Sequence, residues 1–149
     1  MRFLIQYVQS ASVFLPNKDE TRSIGRGVLV YMGIHKDDIH HYPAQIQKFI
    51  KKIQTVQMLT GKTDKIDASL HDIQGQILLI SNFTLYSRNN KWSWIDYTHS
   101  ATRTQAQQIY DYCREQMTKA QLDFQTWSFG DKMHITSTLH GPINHIREF

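Results

Sequence analysis

The chain has 149 residues, 40% hydrophobic and 20% charged, enough apolar material for one core and too much for a disordered tail. Its formal charge of +4 and sequence pI near 9.2 suit a polyanionic partner such as RNA, although no long Lys/Arg block is present. A single cysteine, Cys113, excludes an internal disulfide and fits a reducing cytoplasm, and the longest apolar run, GVLVYMGI, is too short for a membrane span.

The opening MRFLIQYVQS, interrupted by Gln6 and Gln9, does not read as a signal peptide. RFLIQYVQSASVFL alternates, and Phe3, Ile5, Tyr7, Ala11, Val13 and Leu15 are expected on one face of a half-buried strand. LPNKDETRSIGRG is polar and turn-like, and GVLVYMGIH reads as a strand covered on both faces. In YPAQIQKFIKKIQTV the period changes. Ile46, Phe49, Ile50 and Ile53 form one helical stripe, with Pro43 suited to the first turn.

TGKTDKIDASLHDIQG is expected to be a loop with a short extended piece, and QILLISNFTLY a strand, followed by a polar, Trp-rich loop. TRTQAQQIYDYCREQMTKAQ predicts a second helix, capped by Thr102 or Thr104, with Ala106, Ile109, Tyr110, Cys113, Met117 and Ala120 inward. Cys113 there is a small core residue. The end of the chain reads as strands separated by FGDK and HGP. Five or six strands and two main helices, not strictly alternating, make one α+β domain over residues 1–149.

The eight histidines lack an H-x-x-x-H or C-x-x-C arrangement, so they read as scattered surface or core residues, and no metal or other cofactor is expected. There is no G-x-S-x-G elbow, P-loop or dinucleotide fingerprint. Asp37–Asp38 reads as a helix-entry or solvated pair.

Two polar insertions carry the remaining chemistry. The strand end SNFT offers hydroxyls, an amide and free backbone N–H groups, of the kind that hold the developing charge of an ester under attack. The same residues equally form an ordinary hydrogen-bonded turn. LHGPINH contains a rigid Gly-Pro corner with one N–H missing, which is either an ordinary strand-to-strand turn or, with a cis bond, a place that presents two carbonyls side by side.

In this order, MRFLIQYVQSASV, IGRGVLVYMGI, GKTDKIDASLHDIQGQILLISNFTLY, FGDKM and HGP resemble the D-aminoacyl-tRNA deacylase family over nearly the whole chain. The resemblance implies a mixed, partly antiparallel, barrel-like sheet core with two helices. It implies hydrolysis of the ester between a D-amino acid and the terminal ribose of tRNA. It also implies a homodimer with each active site at the interface, where the Gly-Pro of one subunit screens out L-amino acids in the pocket of the other. The ribose hydroxyl of the tRNA is thought to assist, so no catalytic triad is required. No membrane association is implied.

Carried over by position, Ser81 and Thr84 match the family's S-Q-x-x-T motif, with Phe83 between them as the candidate oxyanion donor. Gly141 and Pro142 match the chiral screen, and Met133 the pocket wall. Four positions depart from the pattern. Asn82 replaces Gln, Leu139 replaces Asn, Asn144 replaces Thr, and Tyr7 stands where the family usually has an Arg that helps fix the Gly-Pro corner. These changes cluster at the site, so D-specific hydrolysis stands beside a shifted or relaxed chiral selection. A related branch holds its Gly-Pro in the trans form and accepts some L-aminoacyl esters. The alternative is a dimer that binds RNA or another partner without catalysis, using the aromatic-basic loop with Arg88, Lys91, Trp92 and Trp94.

Overall fold

The computed structural model describes residues 1–89, 94–127 and 129–149. The strands are β1 (Arg2–Leu15), β2 (Glu20–Ile24), β3 (Gly27–Gly33), β4 (Leu59–Thr60), β5 (Ile66–Ala68), β6 (Gln76–Ser81), β7 (Arg88–Asn89), β8 (Ile95–Asp96), β9 (Phe124–Thr126) and β10 (His134–Glu148). The helices are α1 (Tyr42–Thr55) and α2 (Arg103–Lys119), with 3₁₀ turns at Lys36–His40 and Phe83–Tyr86. The main sheet runs β10-β1-β3-β6-β9, with β2 also paired to β1. The β3–β6 and β6–β9 pairings are parallel and those of β1 antiparallel. Arg22 of β2 donates to the Thr126 carbonyl of β9 at 3.0 Å and its guanidinium lies over the Trp127 ring, drawing the sheet nearly closed as a barrel.

β3 is covered on both faces, as its continuous apolar run predicts, and so is β6. Val28, Val30, Met32, Ile77 and Leu79 face the helices, while Leu29, Leu78 and Ile80 face the barrel interior with Trp127. β1 serves both compartments, which corrects the single face expected for it. Phe3, Ile5 and Tyr7 join the helical core, whereas Val8, Ala11, Val13 and Leu15 join the interior. The register against β10 shifts between Gln6 and Val8 and again between Val8 and Ser10. An extra residue in a strand of period two moves the following side chains to the opposite face.

On α1, Ile46, Phe49, Ile50 and Ile53 are all buried, and the Phe49 ring stacks on Phe3 at 4.0 Å. α2 buries Ala106, Ile109, Tyr110, Cys113 and Met117, and is capped by Thr102 in a reciprocal pair with Gln105, not by Thr104. Burial pushes the Cys113 thiol up to about 12, so it stays protonated and unreactive at neutral pH. Among the described residues no helix is long and apolar enough to cross a membrane.

Asp38 fulfils its expected helix-entry role and adds a second one. Its buried carboxylate accepts from the His35 N–H at 2.7 Å, the Met1 ammonium at 2.9 Å and the Gln45 amide at 2.9 Å.

Two elements differ from expectation at the polar insertions. QILLISNFTLY is not one strand, because β6 ends at Ser81 and the chain turns into a 3₁₀ helix at Phe83. HGP does not separate two strands. It is an excursion inside β10, whose pairing to β1 passes from Asn144 opposite Gln6 to Leu139 opposite Val8.

Candidate active site

The turn after β6 is built by its own sequence. Ser81 lies opposite Met32 of β3, and the Asn82 N–H donates to the Met32 carbonyl at 2.9 Å. Asn82 then stays extended, at φ −141° and ψ 97°, and caps the turn. Its Oδ1 accepts from the Thr84 N–H at 3.0 Å and the Thr84 hydroxyl at 2.6 Å. Gly33 lets the turn sit tightly on the end of β3, because a Cβ there would lie 2.8 Å from the Leu85 Cβ.

This capping leaves Phe83 in a special position. Thr84 spends both its donors on Asn82, whereas the Phe83 N–H opens the turn and donates to no described residue. The Phe83 carbonyl is tied down by the Ser100 hydroxyl at 2.8 Å, and its ring meets Tyr97 edge-on at 5.0 Å. The ring is still 57% exposed.

A cavity of about 580 Å³ opens beside this turn, within the range of small-ligand sites. Ser81, Asn82, Phe83 and Met133 line it together with Ile34, Ile80, Phe129 and Ile135. Thr84 does not line this cavity, its hydroxyl being bound back to Asn82. The sequence reading missed Tyr97, Ser100, Arg103 and Asp131 on the same walls. The helical period of α2 points to its buried stripe and is silent about what its first residue faces. A polar Ser-Ala-Thr run before a helix reads only as a cap.

The other expected residues lie elsewhere in the protomer. Tyr7 is buried in the helical core; its hydroxyl accepts from Arg26 Nε at 2.7 Å and donates to the Thr60 carbonyl at 3.4 Å. A guanidinium is therefore present beside position 7 after all, supplied by β3's flank. The Tyr7 ring also packs against His140 at 4.7 Å, directly before the Gly-Pro excursion. Gly141 has φ +113°, and a Cβ there would meet Ile143 Cγ1 at 2.7 Å and Ile143 N at 2.8 Å, so only glycine fits. The Gly141–Pro142 bond is cis, unlike the trans form of the related branch, and both residues are exposed. Asn144 accepts from the Gln6 amide at 2.9 Å across the β1–β10 ladder. Leu139 is 42% exposed on the same edge strand.

The cavity is reached by the start of β10 at Ile135, and Gly141 lies six residues further along. At about 3.3 Å per residue that is roughly 15–20 Å of strand. Within one protomer the corner does not reach the cavity. Of the aromatic-basic loop, Arg88 and Trp94 are exposed, while Lys91 and Trp92 lie outside the described residues.

Comparison with known proteins gives the family and the fold. Residues 4–148 match the family model described as D-Tyr-tRNA(Tyr) deacylase. The D-aminoacyl-tRNA deacylase of Pseudoalteromonas translucida is 32% identical over 143 residues, covering 96% of each chain. That of Idiomarina loihiensis is 33% identical over 141 residues, covering 94% of each. Among solved structures, one titled c-Myc DNA Unwinding Element Binding Protein superposes with a TM-score of 0.87 at 27% identity, covering 100% of this chain and 99% of that one. A probable eukaryotic D-amino acid tRNA deacylase superposes with a TM-score of 0.83 at 14% identity, covering 98% and 97%, a likeness of fold alone. With the family model matched over residues 4–148 and curated relatives above 30% identity over almost all their length, the chain belongs to the D-Tyr-tRNA(Tyr) deacylase family.

Proposed function

We propose that this protein hydrolyses the ester bond of D-aminoacyl-tRNA, holding the ester carbonyl at the main-chain N–H of Phe83. The observation that carries the reading is that uncommitted N–H, fixed at the wall of a ligand-sized cavity by the Asn82 cap and the Ser100 hydroxyl. An aminoacyl ester is already activated. A positioned water and a preorganised amide therefore suffice, without a nucleophilic side chain. Ser81, Asn82, Phe83 and Met133 form the pocket of this reading, and Thr84 acts as scaffold through its bond to Asn82.

The working unit is a homodimer, in which Gly141–Pro142 of one copy closes the cavity of the other and excludes the L-enantiomer sterically. Two facts favour this over a one-chain site. The corner is exposed on an edge strand, and it lies far along β10 from its own cavity. Tyr7, through His140, and Asn144, through Gln6, hold that strand and so act on the corner from behind. The reaction belongs to translation quality control in the cytoplasm.

The test is a deacylation assay on paired D- and L-aminoacyl-tRNAs. Faster release from the D-ester is expected. Tight tRNA binding with neither ester hydrolysed would return the non-catalytic reading to favour.

A further inference from the structure

We propose that Arg103 is a specificity-determining residue that holds the 5′-phosphate of the nucleotide carrying the aminoacyl ester; this deepens the ester-hydrolase reading and rests on it. Arg103 is the first residue of α2 and lines the same cavity as the Phe83 N–H. Among the described residues no carboxylate pairs with its guanidinium. The one acidic group on the cavity wall, Asp131, is bridged by Lys18 at 3.0 Å. Gly130 makes room for the guanidinium, since a Cβ there would lie 2.9 Å from Nη2.

The spacing also fits. Ser100 holds the Phe83 carbonyl at 2.8 Å, and the Ala101 N–H is fastened to the Ile34 carbonyl at 2.9 Å. Arg103 follows Ser100 by three residues, so its Cα lies within about 10 Å of the residue that anchors the ester site. One ribose separates the ester from its 5′-phosphate, a separation of the same scale.

Charge then selects the partner. The substrate's carboxyl group is esterified and its α-amino group is cationic, so neither attracts a guanidinium. The phosphodiester is the anion that remains, and a guanidinium fork matches phosphate oxygens in pairs.

Two small esters test this: 3′-D-aminoacyl-adenosine and the same compound bearing a 5′-phosphate. The wild-type protein is expected to favour the phosphorylated ester by about 10- to 100-fold in kcat/KM, chiefly through KM. Arg103→Gln should lower kcat/KM far more on the phosphorylated ester than on the unphosphorylated one and so abolish that preference, and Arg103→Lys should retain part of it. On full aminoacyl-tRNA, Arg103→Gln should also lower the salt dependence of KM by about one phosphate contact. Equal wild-type rates on the two esters, or an equal loss on both in Arg103→Gln, would overturn the phosphate assignment and leave the hydrolase reading standing. Hydrolysis of neither ester, nor of D-aminoacyl-tRNA, would remove the hydrolase reading and the phosphate site with it.

Discussion

Phe83→Pro is expected to lower kcat for D-aminoacyl ester hydrolysis by about 10²–10³-fold, the usual loss when one oxyanion donor is deleted. Proline removes the N–H and little else from this backbone. Phe83 is the first residue of its turn, where proline's fixed φ is favourable and no intrahelical bond is lost. The preceding residue, Asn82, is extended at φ −141° and ψ 97°, the region that a residue before proline prefers. Phe83→Ala supplies the control, because it deletes the exposed ring and keeps the amide. It should cost far less in kcat. Equal losses in the two variants would assign the effect to the ring and not to the amide.

Asp38→Ala is expected to destabilise the fold by about 3–5 kcal/mol, read from the midpoint of urea unfolding at constant slope. Asp38 is 6% exposed, and its carboxylate faces the ammonium of Met1, a residue whose side chain is fully buried. It also accepts from His35 and Gln45, so its removal takes one acceptor from three donors at once. The Phe149 carbonyl accepts from the Met1 ammonium at 2.8 Å and from Gln45 at 2.7 Å, so both ends of the chain depend on this node. Asp38→Asn keeps one acceptor oxygen and the volume, and should lose roughly half as much. A loss below about 1 kcal/mol for alanine would mean that water replaces the carboxylate freely.

Much of the fold is legible in the sequence because it rests on local periods. The stripe Ile46, Phe49, Ile50, Ile53 and the stripe ending in Cys113 and Met117 are each fixed by 3.6-residue spacing. The double covering of β3 follows from a run without a polar position. What stayed hidden is set by pairing between distant segments. Nothing in the sequence at Gln6–Ser10 marks the residue that switches β1 from one core to the other, because the switch is defined by its register against β10. Gly-Pro likewise reads as a corner between two strands. That the ladder resumes beyond it is decided by Gln6 and Asn144, about 140 residues apart.

At the site, SNFT forms the local turn, Asn82 capping Thr84, and the Phe83 N–H that opens it has no partner among the described residues. The ester-holding role of that N–H is the proposal that builds on this turn. The family motif directs attention to Ser81 and Thr84, yet only Ser81 lines the cavity. Arg103 gives no sequence signal, because its importance comes from standing across a cavity from residues twenty positions earlier. Tyr7 looks like the loss of an arginine, and Arg26 brings a guanidinium back beside it from the turn before β3.

The claim that one protomer's amide works under another's corner is tested most directly by mixing two variants. Gly141→Ala disturbs the corner and should let L-aminoacyl-tRNA be hydrolysed, while Phe83→Pro leaves the corner intact and the site inactive. Unfolding and refolding them together at equal amounts forms mixed dimers, in which every site with a working amide faces an intact corner. L-ester hydrolysis is then expected to fall to roughly half that of the same amounts refolded apart, while the mixed dimers hydrolyse the D-ester selectively. L-ester hydrolysis equal to that of the separately refolded variants would place amide and corner in one chain and contradict the account.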